Sequence, residues 1–118
     1  PRRIVFQPSG GEHDVRAEML SLGYGLVAEQ LVAEGRRLFM VLVFEDGNGV
    51  AALDGLVDRY VGPFIQQAHG PLLSAWLDGQ ASWLNGLLDR AKDPGELIEL
   101  RARLESIRAL RPRSDSAR

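Results

Sequence analysis

No cysteine occurs among the 118 residues. Its absence removes disulfide frameworks, thiolate metal sites and cysteine nucleophiles together, and it fits a reducing compartment. A cytoplasmic location is the resulting expectation. Histidine is almost as scarce. His13 and His69 are the only two, and neither stands at ligand spacing from a carboxylate, while Asp46 and Asp54 do not fit a calcium loop. No metal is expected. No apolar run approaches the roughly 20 residues of a membrane-spanning helix, and the stretch after Pro1-Arg2-Arg3 is too short for a secretory signal, so no membrane role is expected. No Gly-x-Ser-x-Gly elbow is present, and Ser9, Ser21, Ser74 and Ser82 have no evident base, which leaves nucleophilic hydrolysis without a foothold.

What the sequence contains is globular in character, with 45% apolar and 25% charged residues. The length suits one domain or part of one, and it is too short for a complete nucleotide-binding α/β enzyme. The net charge of −2 hides an asymmetry along the chain. Arg101, Arg103, Arg108, Arg111, Arg113 and Arg118 face only Glu105 and Asp115 in the last 18 residues. A solvated helix face accounts for such an end, and so does contact with a phosphate backbone.

Ile4-Val5-Phe6 is a short apolar run stopped by Gln7-Pro8-Ser9-Gly10-Gly11, the pattern of a strand ending in an abrupt turn. From Glu12 to Leu22, Val15, Met19 and Leu22 recur at helical spacing before Gly23, which predicts an amphipathic helix burying those three. Residues 24–33 mix apolar and polar side chains, as a strand with one exposed side or at an edge does, and Glu34-Gly35-Arg36 offers a reversal. Leu38 to Phe44 is unbroken apolar sequence. Only a strand with neighbours on both sides and cover on both faces sustains that, so it is placed centrally. Val50, Leu53, Leu56 and Val57 predict a further short helix, weakened by Gly55. Beyond Pro71, Leu73, Leu77, Leu84, Leu87 and Ala91 follow a heptad, and Asp93-Pro94-Gly95-Glu96 is a capping box that opens a second helix with Leu97, Leu100, Leu104 and Ile107. A turn that short makes the two helices an antiparallel hairpin.

Three groups of residues carry candidate chemistry. Gly47-Asn48-Gly49 lacks the third glycine of a phosphate-cradling loop and reads as a flexible connector. Trp76 and Trp83, seven apart, serve either hairpin packing or base stacking. Gln7, Pro8 and Ser9 lie at the carboxyl end of a strand, where open α/β sheets place ligands. The Gln7 amide offers both a donor and an acceptor, as a base edge requires; pairing to its own backbone is the plainer alternative.

Arg3-Ile4-Val5-Phe6-Gln7-Pro8, Val15-Arg16-Ala17-Glu18-Met19-Leu20, Gly23-Tyr24, the run from Glu29 to Glu45 and Tyr60-Val61-Gly62-Pro63 resemble, in order and spacing, the C-terminal half of the bacterial S-adenosylmethionine-dependent tRNA (adenine-22-N1)-methyltransferases. The resemblance runs from Arg2 to about Ala91. It implies an α/β fold: residues 1–49 form the C-terminal part of a Rossmann-like methyltransferase sheet of three strands, the last inserted antiparallel between the other two. Residues 50–70 would be a connector, 71–111 a coiled-coil-like helical hairpin and 112–118 a basic tail. Gln7, Pro8 and Ser9 would border the substrate adenine, with Ser9 where the family has Asn, and Arg101, Arg103, Arg108 and Arg111 would contact tRNA. The family's cofactor loop and catalytic loop belong upstream of Pro1. The resemblance therefore implies S-adenosylmethionine as cofactor of the complete enzyme, and a chain that alone neither binds it nor methylates RNA.

Two functions follow from these residues. One is part of a tRNA methyltransferase completed by a missing N-terminal half. The other is a non-catalytic interaction or dimerisation module, because a three-stranded half-sheet leaves an open edge that self-association would cover.

Overall fold

The computed structural model describes residues 2–68 and 70–116, with side chains through Leu110. His69 and the side chains of Arg111 and Arg113 lie outside the described residues, as does Arg118. The chain forms two units, Pro1–Gln67 and Ala68–Arg118.

In the first unit, β1 (Arg3–Phe6) is followed by α1 (Glu12–Ser21), β2 (Tyr24–Glu34), β3 (Arg37–Asp46) and a short α2 (Gly55–Tyr60). The strand order is β1-β3-β2, and β3 runs antiparallel to both neighbours. The unbroken apolar run thus occupies the centre of the sheet, as expected. Its alternate residues Met40, Leu42 and Phe44 are fully buried. Phe44 faces Ile4 in register and meets Phe6 edge-on at 5.8 Å, the T-shaped geometry that ring quadrupoles favour. Leu26, Leu31 and Met19 complete this side of the core, together with Val61 and Ile65.

At the other end of β1, Arg3 Nε donates to Glu45 Oε2 at 2.8 Å across the β1–β3 ladder. This hydrogen bond holds the Glu45 carboxyl below its usual range, with Asn48 assisting. A depressed carboxylate stabilises the fold above its unfolded pKa, and the contribution disappears as pH falls through the folded value. Acid titration of Glu45→Gln is expected to show a flatter loss of stability below about pH 4 than the parent chain. Identical acid transitions would remove this carboxylate from the account.

Three expectations change. Leu22 is 65% exposed, whereas Arg16 is fully buried beside Met19, so α1 presents a face centred on an arginine rather than the Val15–Met19–Leu22 stripe. Val50 does not open a helix: it bridges to Leu26 through two backbone hydrogen bonds of 2.8 and 2.9 Å, and α2 starts at Gly55. Gly47-Asn48-Gly49 is accordingly a packed turn and no loose connector. The Asn48 carbonyl lies where a Cβ on Gly25 would stand, and the Leu26 carbonyl does the same at Gly49. Only glycines permit that approach of two backbones.

The second unit is a helical hairpin of α3 (Pro71–Arg90) and α4 (Pro94–Ser116), joined by a three-residue turn. Asp93 caps α4 as expected, its Oδ2 accepting from the Glu96 amide at 2.9 Å, an interaction of about 1 kcal/mol. Leu73, Leu77 and Leu84 are buried, as are Leu100, Leu104 and Ile107. α4 continues through Ser116, over residues that the sequence alone suggests as a tail.

Candidate functional site

The end of β1 is where a ligand is expected, and the structure places Gln7, Pro8 and Ser9 in the connection between β1 and α1. Gln7 and Ser9 are exposed and Pro8 is half-buried. No hydrogen bond joins the Gln7 side-chain amide to another described residue. The loop closes through Gly11, whose carbonyl accepts from the amides of Asp14 and Val15 at 3.0 and 3.2 Å. These residues supply one amide and one hydroxyl but no carboxylate of the kind that grips a ribose diol. They suit the wall of a site better than the seat of a nucleoside cofactor.

Behind this loop, α1 carries the strongest polar interaction in the unit. Arg16 and Glu29 face each other with both side chains fully buried, Nε to Oε2 at 2.5 Å. The remaining Arg16 donors reach the Arg59 carbonyl at 3.1 Å, the Val61 carbonyl at 2.9 Å and Met40 Sδ at 3.0 Å. The other Glu29 oxygen accepts from the backbone amides of Phe64 and Ile65 at 2.8 and 3.2 Å. The two charges therefore hold the segment from Arg59 to Ile65 from both sides, and Gly62 between them lies against the Glu29 carboxylate. No buried side-chain nitrogen or oxygen lacks a partner among the described residues, which is the condition under which a buried ion pair is tolerated. Nothing in periodicity announces this hub. Its sequence signals are a glutamate in β2 and the Tyr60-Val61-Gly62-Pro63 segment that it holds.

A cavity of about 600 Å³ lies on the flank of α1, lined by His13, Asp14, Leu20, Leu53 and Arg59 among others. The His13 ring packs at 5.3 Å from Tyr60. Among the described residues no group of three or more His, Cys, Asp or Glu could hold a metal ion, and no helix is long and apolar enough to cross a membrane.

On the hairpin, the structure separates the arginines expected to act together. Arg101 and Arg108, seven apart, are exposed on one flank of α4, with Glu105 between them. Arg103, two residues from Arg101, emerges on nearly the opposite flank, since a helix turns about 100° per residue. There it lies 5.3 Å over the ring of Trp83. Trp76 is buried, a packing residue, while Trp83 is 51% exposed. Over residues 71–110 acidic side chains slightly outnumber basic ones, and the basic excess of the chain's end is shared equally between residues 101–110 and those beyond Leu110.

No protein-family profile and no curated protein matches the chain. Solved structures do. A Streptococcus pneumoniae protein assigned as a tRNA (m1A22) methyltransferase, in complex with S-adenosyl-L-methionine, matches 92% of this chain at 25% identity with a TM-score of 0.71, and 47% of its own length is covered. The B. subtilis m1A22 tRNA methyltransferase TrmK matches 93% of this chain at 23% identity and a TM-score of 0.67, with 51% of its own length covered. This chain has the fold of half a tRNA (m1A22) methyltransferase. The M. capricolum TrmK bound to S-adenosyl-homocysteine agrees, over 98% of this chain at 16% identity and a TM-score of 0.65, with 50% of its own length covered. A Streptococcus agalactiae protein of the NADB-Rossmann superfamily shares the architecture at a TM-score of 0.75 and 19% identity, covering 93% of this chain and 48% of its own. The chain thus spans about half the length of the methyltransferase structures that it matches, the share expected of the C-terminal half that its residues resemble.

Proposed function

We propose that this chain is the C-terminal portion of a cytoplasmic S-adenosylmethionine-dependent tRNA methyltransferase acting at N1 of adenine. The observation that carries the proposal is the match over nearly the whole chain to methyltransferase structures twice as long, one of them holding S-adenosyl-L-methionine. In this division of labour the other half holds the cofactor, whose sulfonium methyl is the group transferred. This portion completes the sheet, walls the adenine site with Gln7, Pro8 and Ser9, and extends the coiled-coil-like hairpin towards tRNA. Positioning N1 in line with the methyl supplies most of the rate, and no metal is needed.

The open side of the sheet fits a missing half. Val5 on the outer strand β1 is 60% exposed, and on the opposite face of that strand a groove of about 220 Å³ is lined by Phe6, Val15, Glu18, Met19 and Leu22. The open edge at β1 equally favours the second function, an interaction module in which another copy covers it, and sedimentation at rising concentration separates the two: a monomer excludes self-association.

Calorimetry and tRNA titration test the main proposal. The chain alone is expected to give no micromolar binding of S-adenosylmethionine and a salt-dependent affinity for tRNA. Replacing Arg101, Arg103, Arg108 and Arg111 with glutamine is expected to weaken that affinity and flatten its salt slope by about one unit for each phosphate no longer neutralised. Tight cofactor binding by the chain alone would overturn the division of labour. Unchanged tRNA affinity and slope would overturn the RNA role of the arginines.

A further inference from the structure

We propose that Trp83 and Arg103 form a stacking site for one unpaired nucleobase of RNA; the inference rests on the reading of the hairpin as a tRNA-binding arm. Trp83 is half-exposed at mid-helix, an expensive place for the largest apolar side chain. A tryptophan needed only for the hairpin would be buried as Trp76 is. Arg103 covers part of the ring at 5.3 Å, the distance at which a guanidinium and an indole attract. This contact fixes the orientation of the ring and brings a cation beside it. On α3 two of the four residues one turn from Trp83 are Gly79 and Gly86. A Cβ added at either would meet nothing within 4 Å, so no packing within the described residues asks for glycine, and each costs the helix about 1 kcal/mol relative to alanine. With glycine at 79 and 86, only Gln80 and Leu87 of the four same-face neighbours on α3 carry side chains beside the indole. Arg90, two turns after Trp83 on the same face, is exposed. A flat half-exposed π surface, an adjoining guanidinium and a second cation further along the same helix face match a base with its phosphate.

Trp83 is also a reporter, because Trp76 is the only other tryptophan and is buried. The experiment is a fluorescence titration of the full chain with a single-stranded RNA dodecamer, and with a blunt RNA duplex of equal phosphate count. Quenching by the single strand and little by the duplex is expected. Trp83→Phe should abolish most of the quenching and bind the single strand nearly as well as the parent. Trp83→Ala, with an unchanged circular dichroism spectrum, should bind at least about fivefold more weakly. Binding of the single strand without quenching, or equal quenching by the duplex, would overturn the stacking site and leave the tRNA arm standing. Absence of binding to either RNA and to tRNA would overturn the arm and this site together. Emission that changes with protein concentration before RNA is added would assign the ring to contact with a second copy, and the proposal would fail.

Discussion

Glu29→Ala is expected to destabilise the chain by about 3–5 kcal/mol, read as a large fall in the urea midpoint of the far-UV circular dichroism transition. The magnitude follows from what remains rather than from what is removed. Arg16, fully buried, would keep its charge with no counter-charge, and the amides of Phe64 and Ile65 would lose their shared acceptor. Each unsatisfied buried donor costs about 1–3 kcal/mol, and an uncompensated charge costs more. Folded domains have only about 5–15 kcal/mol to lose, so the variant should be marginal at room temperature. Glu29→Gln keeps the shape and one carbonyl acceptor and should fall between the two. The decisive control is Arg16→Met combined with Glu29→Leu. Taking both charges away should cost clearly less than taking Glu29 alone, because burying a pair is expensive and burying half a pair more so. If the single and double variants lose equal stability, the cost lies in packing and the ion pair is incidental.

This pair also marks the boundary of what the sequence discloses. The central position of β3 is readable because Leu38 to Phe44 contains no polar residue, a pattern that only a strand flanked on both sides supports. The hairpin is readable because its leucines repeat at helical spacing and Asp93 announces the start of α4. The burial of Arg16 is not. Charged residues are almost never fully buried unless paired, so periodicity assigns the core face to Val15, Met19 and Leu22, and the partner that reverses this lies on a different element, 13 residues away. Val50 misleads for a related reason: its spacing to Leu53 and Val57 is helical, but its backbone is claimed by Leu26. At the candidate site, Gln7, Pro8 and Ser9 stand at the end of β1, because the apolar run stops at Gln7-Pro8. The arginines of α4 divide between two flanks because residues two apart on a helix do not share a face.

Gly62→Ala is the second substitution with a large expected effect, about 3 kcal/mol. Two causes add. Gly62 has φ of +122°, a backbone region that costs a residue with a side chain about 1–3 kcal/mol. A Cβ there would also stand 2.3 Å from Glu29 Oε1. An overlap with the end of a flexible side chain is ordinarily relieved by a small rotation, but this carboxylate is anchored by Arg16 on one side and by the Phe64 and Ile65 amides on the other. Moving it lengthens three hydrogen bonds at once. The two causes separate in a double-mutant cycle with Glu29. In the Glu29→Ala background the steric cause is gone and only the backbone cause remains, so Gly62→Ala should cost about half as much there as in the parent chain. Additive losses would show that the carboxylate yields freely and that backbone conformation alone requires glycine at this position. A coupling of about 1 kcal/mol or more would establish that Glu29 and Gly62 act as one device. That device sets the path of the chain from Arg59 to Ile65, immediately before the second unit begins at Ala68.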